Sequence, residues 1–354
     1  MDFLISDDAK RILGRFADRE DLQAKNLAQA LVTFERIWVG ARAVEILEAD
    51  DPSAWIAAGI AAAARLLSAV APVIRYQRER FRGSPGAVPG TLRHDLGLQM
   101  KEDAVHRLLD VWAGGESCAW LSFQAARLLD GLAPESEANV LCVACKVWSI
   151  HYASWLMREA LSLLGGIGVT EDCPGLLGQK WIDSLAETFG EDSDVAQRRL
   201  ALAMRDEVFL THFREWMREM QAIAATHPSV GAGAQAVAME MWLWTFERLR
   251  DPNLRSQLAG ALCGILASRA QILGVIELQR TIPDATFLSD LCHIQAANVT
   301  GDVARVYAGL VSGYGDDSAR VGFAEMQVLL DGALAGSFAA KDRAAGALIR
   351  VRIS

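Results

Sequence analysis

The chain is poor in proline, with 9 in 354 residues, and runs of β-branched residues are scarce. Proline removes a backbone donor and clashes with the preceding turn, so its rarity leaves long stretches free to be helical. Alternating polar and apolar runs are missing, which removes the signal for strands. Basic residues are interspersed rather than clustered, and the formal net charge is −9. That leaves no electrostatic footprint for nucleic acid. The amino terminus, MDFLISDDAKRILGRF, lacks a basic start followed by an apolar core, so no secretory leader is expected. No apolar run of membrane-spanning length is free of charges and glycines. The best candidate, Trp55–Ile74, carries Arg65 and Pro72 and is rich in alanine, so it reads as a buried bundle helix rather than a membrane span.

The six cysteines are dispersed, four of them in apolar helical surroundings. They read as reduced core residues of a cytoplasmic protein. Cys142 and Cys145 have redox spacing but sit in a helix with no second pair, so neither a redox centre nor zinc is expected. The histidines form no i, i+4 pair with a ligand acid, and no metal is expected.

What is present is helix-forming residues: Ala, Leu, Glu, Arg and Gln dominate a chain that is 52% hydrophobic and 22% charged. The length allows two domains with a large core. Two helices are expected in the first 50 residues. Long helices follow at Trp55–Phe81, Leu98–Leu132 (one helix interrupted at Gly114-Gly115, or two), Ser136–Leu164, Gln179–Phe189 and Asp194–Ala225. A second block begins after Thr226-His227-Pro228-Ser229, with helices at Gln235–Arg250, Asn253–Arg280, Leu288–Leu310 and Gly322–Ser337. Residues 347–354 either pack or fray. The fold class expected is all-α: a helical segment over 1–52, an up-and-down four-helix bundle over 53–205 and an extra helical region over 206–354.

One stretch stands apart. Ala144–Pro174 reads as a helix ending in Leu164-Gly165-Gly166-Ile167-Gly168, then Thr170-Glu171-Asp172. Consecutive glycines let a backbone approach phosphate, because no Cβ intervenes. The same glycines also serve simply to end a helix. Downstream, Glu191-Asp192-Ser193-Asp194 offers either a carboxylate base or an acidic cap for the next helix. Arg78, Arg80 and Arg82 suit either an anion or a solvated helix end.

These segments, in this order, resemble the C-terminal helical domain of acyl-CoA dehydrogenases. The first block, Trp55–Gly83, resembles that domain's opening helix, which ends Arg-x-x-Phe-Gly. Arg78 and Phe81 match, while Arg82 replaces the glycine. The second block is the helix and glycine turn just described. The third, Trp181–Gln197, resembles the family's segment around its catalytic glutamate: Asp183, Glu191 and Gln197 match, and Ser193 replaces a threonine. Ile182, Leu185 and Asp192 depart from the pattern, and Ser53 stands where a CoA-contacting arginine is often found.

The resemblance implies that Arg78, Phe81, Gly165, Gly166, Gly168 and Ser193 contact FAD and that Glu191 is the α-proton base. Too few residues precede the match to supply the family's middle β-domain, which walls the flavin ring. The resemblance therefore implies FAD shared with a fuller partner subunit or a second copy, an acyl-CoA thioester as substrate, and oligomerisation through the bundle. Trp148, Trp155 and Met157 are placed for such a contact or for the core. The other reading is a non-catalytic assembly relic of the fold.

Overall fold

A computed structural model describes residues 52–79, 102–129, 135–188, 199–248, 255–282, 284–314 and 317–350. The helices expected before residue 51, the loop after Phe81, and the stretch carrying Glu191 and Ser193 lie outside the described residues. Among the described residues there is no strand, so the all-α expectation holds.

The expected helix from Trp55 to Phe81 is two helices, α1 (Pro52–Leu67) and α2 (Val70–Glu79). Pro72 is the cause. It lacks the N–H that would bond Ser68 and its ring crowds the carbonyl four residues back. The chain turns at Ser68-Ala69 and the helix resumes with Val73 N–H bonding the Ala69 carbonyl at 3.2 Å. Helix α3 (Glu102–Arg127) runs unbroken through Gly114-Gly115. A Cβ on Gly115 would lie 2.7 Å from Leu67 Cδ2, and one on Gly114 would overlap Leu156. The pair is a notch into which neighbouring helices press, not a break.

Helix α4 (Glu135–Ala144) continues through a π turn at Cys145–Ser149 into α5 (Ile150–Leu164). The π turn lies where α1 crosses, with a Gly59 Cβ only 3.1 Å from Cys145 Cβ. Helix α6 (Leu177–Thr188) packs back on α5. The helix expected from Asp194 to Ala225 is interrupted at Met204–Asp206. Asp206 adopts extended backbone and its carboxylate accepts the Val208 N–H at 2.9 Å, starting α7 (Glu207–Thr226) afresh.

Helices α8 (Ala232–Arg248), α9 (Arg255–Gln279), α10 (Thr286–Tyr314) and α11 (Asp317–Leu334) follow within a few residues of expectation. Helix α12 (Ser337–Arg350) is the element the sequence reading missed, having left only residues 347–354 as a tail that packs or frays. It starts after Gly336, whose φ of 84° ends α11.

Two apolar clusters organise these helices. One joins the C-terminal half of α3 to α1, α4 and α7 through α10. The other joins the N-terminal half of α3 to α2, α5, Leu291 and Ile294 of α10, and Ala340, Ala344 and Leu348 of α12. Helices from both sides of residue 206 thus share α3 as a common partner.

Among the described residues three stretches, Ala54–Arg78, Ala138–Val169 and Gln257–Gln279, are long and apolar enough to cross a membrane by composition. In this fold they are core helices, with 94%, 78% and 83% of their most apolar windows buried. Met157 is likewise core, 1% exposed, whereas Trp155 is 53% exposed and stacks on Tyr152, which stacks on Trp148.

The α3–α9 crossing is tight enough to test. A Cβ on Gly274 of α9 would overlap the Trp120 indole of α3, while one on Gly301 of α10 meets nothing within 4 Å. Gly274→Val should cost about 1–3 kcal/mol by overpacking. Gly301→Ala should gain about 0.5–1 kcal/mol, because alanine loses less backbone entropy in a helix. Urea unfolding midpoints of the two variants, moving in opposite directions, check both.

Candidate functional site

The glycine turn is built by the end of α5. Gly165 takes φ 64° and ψ −141°, a backbone that disfavours a side chain, and its N–H bonds the Ser162 carbonyl. Residues Gly165–Val169 then form a short 3-10 turn, closed by Thr170, whose Oγ1 donates to the Ile167 carbonyl at 2.8 Å. The glycines differ in what they do. Gly165 and Gly166 are exposed, and nothing lies within 4 Å of a Cβ built on Gly166. Gly168 is buried, and a Cβ there would meet the Leu161 carbonyl at 2.9 Å. Gly178, in the first turn of α6, faces the Gly168 carbonyl at 2.8 Å from its would-be Cβ. So Gly168 and Gly178 fasten the turn to its neighbours, while Gly165 and Gly166 present bare backbone to solvent.

Arg78 ends α2 close to this turn. The adjoining Gln77 side chain donates to the Leu163 carbonyl in the last turn of α5. The Arg78 guanidinium itself donates to the Leu348 carbonyl at 2.7 Å, in the last turn of α12. A cation there also complements the negative end of the α12 dipole. Asp183 is exposed on α6 and accepts from Gln179 at 2.6 Å. Helix α6 starts behind the glycine turn and ends at Thr188, three residues before Glu191. Phe81, Glu191 and Ser193 lie outside the described residues, so of the expected set Arg78, Gly165, Gly166 and Gly168 are placed.

A buried cation beside the turn escaped the sequence reading. Lys180 of α6 is 7% exposed, and its Nζ donates to Ser68 Oγ at 2.9 Å. Ser68 in turn donates to the Arg65 carbonyl at 2.6 Å, at the C-terminal end of α1. Burial first, and the Arg65 charge second, push the Lys180 ammonium below the usual lysine range. Among the described residues no carboxylate pairs with it. The signal was a lysine on the inward stripe Leu177, Lys180, Ser184 of α6, all of it buried. The loop reinforces this junction: Gly175 has φ 68°, and a Cβ on it would lie 2.6 Å from the Pro72 ring of α2.

No family model and no curated protein sequence matches the chain. Solved structures do. An acyl-CoA dehydrogenase from Bacillus anthracis, complexed with FAD, is similar with a TM-score of 0.62 at 10% identity, over 84% of this chain and 55% of that one. A tomato (Lycopersicon esculentum) acyl-CoA oxidase gives 0.56 at 15% identity, over 85% and 51%. The Caenorhabditis elegans acyl-CoA oxidase-1, complexed with FAD and ATP, gives 0.55 at 14% identity, over 84% and 48%. This chain has the helical fold of acyl-CoA dehydrogenases and oxidases. It spans about half the length of the solved structures it matches. Within that helical fold the six cysteines are all buried and none is in a disulfide, and among the described residues no group of three acids, histidines or cysteines is arranged to hold a metal.

Lys180 gives this site a pH signature. The folded chain binds the Lys180 proton less tightly than the unfolded chain, whose value is near 10.5. Between the lowered folded value and 10.5 the unfolded state holds more protons, so this group's contribution to stability rises with pH there. Lys180→Met keeps the length without the charge. It should be more stable than the wild type at neutral pH, with the gap closing as pH approaches 10.5. Urea titrations of both proteins from pH 7 upward decide it, and a gap that widens with pH would rule the assignment out.

Proposed function

We propose that this chain is a subunit of a heteromeric acyl-CoA dehydrogenase-like flavoenzyme, lending its helical domain to a shared site for α,β-dehydrogenation of an acyl-CoA. The observation that carries the reading is the exposed glycine turn. Gly165 and Gly166 expose their backbone to solvent, with open space around Gly166, which would let a phosphate of FAD approach closely. Gly168 would support the turn from behind. Arg78, Phe81 and Ser193 would complete the flavin contacts, and Glu191, reached from the end of α6, would remove the α-proton. When bound, the flavin would supply the hydride acceptor. The flavin ring needs a wall on each face, and a partner subunit with a β-domain, or a second copy, would supply the other half of the site. Oligomerisation through the bundle would cover the exposed Trp155. A reducing, cytoplasmic setting would suit six buried cysteines outside any disulfide, and the apolar stretches would serve the bundle core in place of a membrane.

The second reading, a structural or assembly relic of the fold, is favoured by one observation. The Arg78 guanidinium is bonded to the chain's own α12 at Leu348, and Gly165 already has a local task in ending α5.

Co-expression with proteins encoded beside its gene separates the two readings. The first expects a yellow, flavin-containing complex from the pair and no tightly bound flavin on the lone chain. In that complex Glu191→Gln keeps the side chain's shape but removes the base, and should cost roughly 10²–10⁴ in turnover while assembly and colour persist. Unchanged turnover would assign the base to the partner. Arg78→Ala should lower flavin retention.

A further inference from the structure

A second polar site lies away from the glycine turn. A cleft of about 590 Å³ opens between the turn at Pro228-Ser229, the α9–α10 connection, α10 and the start of α12. Its lining contains no residue of Gly165–Gly178. The volume falls within the range of small-molecule sites, roughly 300–1,000 Å³.

The polar wall is Arg343 of α12 against Asp290 of α10. Nε and Nη2 both donate to one carboxylate oxygen of Asp290, at 3.1 and 2.6 Å. Asp290 is almost fully buried, while the Arg343 side chain is 51% exposed. The carboxylate therefore fixes the guanidinium and leaves its Nη1 hydrogens without a partner among the described residues. Arg343 is the only permanent cation among the described residues lining the cleft. His293 adds no charge: burial first, and the neighbouring Arg343 second, hold its imidazole below the usual histidine range.

Ser229 is exposed at the mouth. Pro228, Ile282 and Ala285 add apolar surface to the lining.

We propose that this cleft binds a small carboxylate with a short apolar body, its anionic end on Arg343 Nη1 and its body on the wall at Ile282. Arg343 against Asp284 and Asp290 leaves the lining with a net charge of −1, so a doubly charged phosphate is repelled more than a monoanionic carboxylate, whose hold comes from the oriented Nη1 hydrogens. The pattern of one acid orienting an arginine for a second oxyanion also matches the forked geometry of guanidinium.

Butyrate is the probe, titrated into the full-length chain and followed by saturation-transfer NMR and calorimetry. Butyramide, of the same shape without the charge, should bind about tenfold more weakly or worse, as should butyrate to Arg343→Gln. Because removing Arg343 leaves Asp290 buried alone, the Asp290→Asn/Arg343→Gln pair serves as the folded control and should be equally impaired. Ser229→Tyr adds bulk to the lining while keeping both members of the ion pair and should abolish binding. Failure of butyrate to bind, undiminished binding to Ser229→Tyr, or tighter binding of inorganic phosphate than of butyrate would each overturn the assignment. None of these readouts depends on flavin or on a partner subunit.

Discussion

Helix α3 is buried around its whole circumference from Ala113 to Phe123. A helix with no wet face must have partners on every side, and the rest of the architecture answers that requirement. Helices α1, α5, α9 and α10 all pack against it, with α12 closing its N-terminal half. Close approach depends on missing side chains. Gly114 and Gly115 admit Leu156 and Leu67, Gly59 brings α1 against Ser122 and Cys145, and Gly274 admits the Trp120 ring. Glycine inside a helix costs roughly 0.5–1 kcal/mol relative to alanine. Dense packing at these crossings is what offsets that cost.

The same packing places both polar sites at helix ends, where backbone groups lack intrahelical partners. The glycine turn is the C-terminal end of α5, held from behind by α6 and from the side by α2 through Gln77. The cleft gathers the starts of α10 and α12 at the turn between α7 and α8. Helix α12 links the two sites. Its last turn accepts Arg78, its middle carries Arg343 to Asp290, and Lys341 pairs with Asp110 of α3 at 2.7 Å. Three small or apolar residues, Ala340, Ala344 and Leu348, seat it in the core, so ion pairs carry much of its positioning. Any assembly that draws Arg78 toward a flavin phosphate would have to compete with the Leu348 carbonyl for it.

Much of this was legible in the residues. Helical periodicity and the rarity of proline were enough for the all-α class, and the spacing of the three resembling blocks led to the fold that the solved structures share. The errors were local and physical. Apolar periodicity runs straight through Pro72, yet its ring requires the break at Ser68-Ala69. Asp206 followed by Glu207 is a start signal inside what read as one helix. Helix α12 was missed because its apolar residues are mostly alanine, which makes a faint stripe, and its hold on the body is charged.

By itself, then, the sequence determined the all-α class and most of the helical segments, because periodicity is a local property of the chain. It also determined the length between the glycine turn and Glu191. Only the tertiary structure decided that Lys180 is buried against Ser68, that Arg78 is held by α12, and that Asp290, His293 and Arg343 share one cleft. Those residues stand on different helices, up to 270 positions apart in the case of Arg78 and Leu348. Their meeting follows from how helices cross around α3, and crossing geometry is a property of packed surfaces that no local pattern encodes.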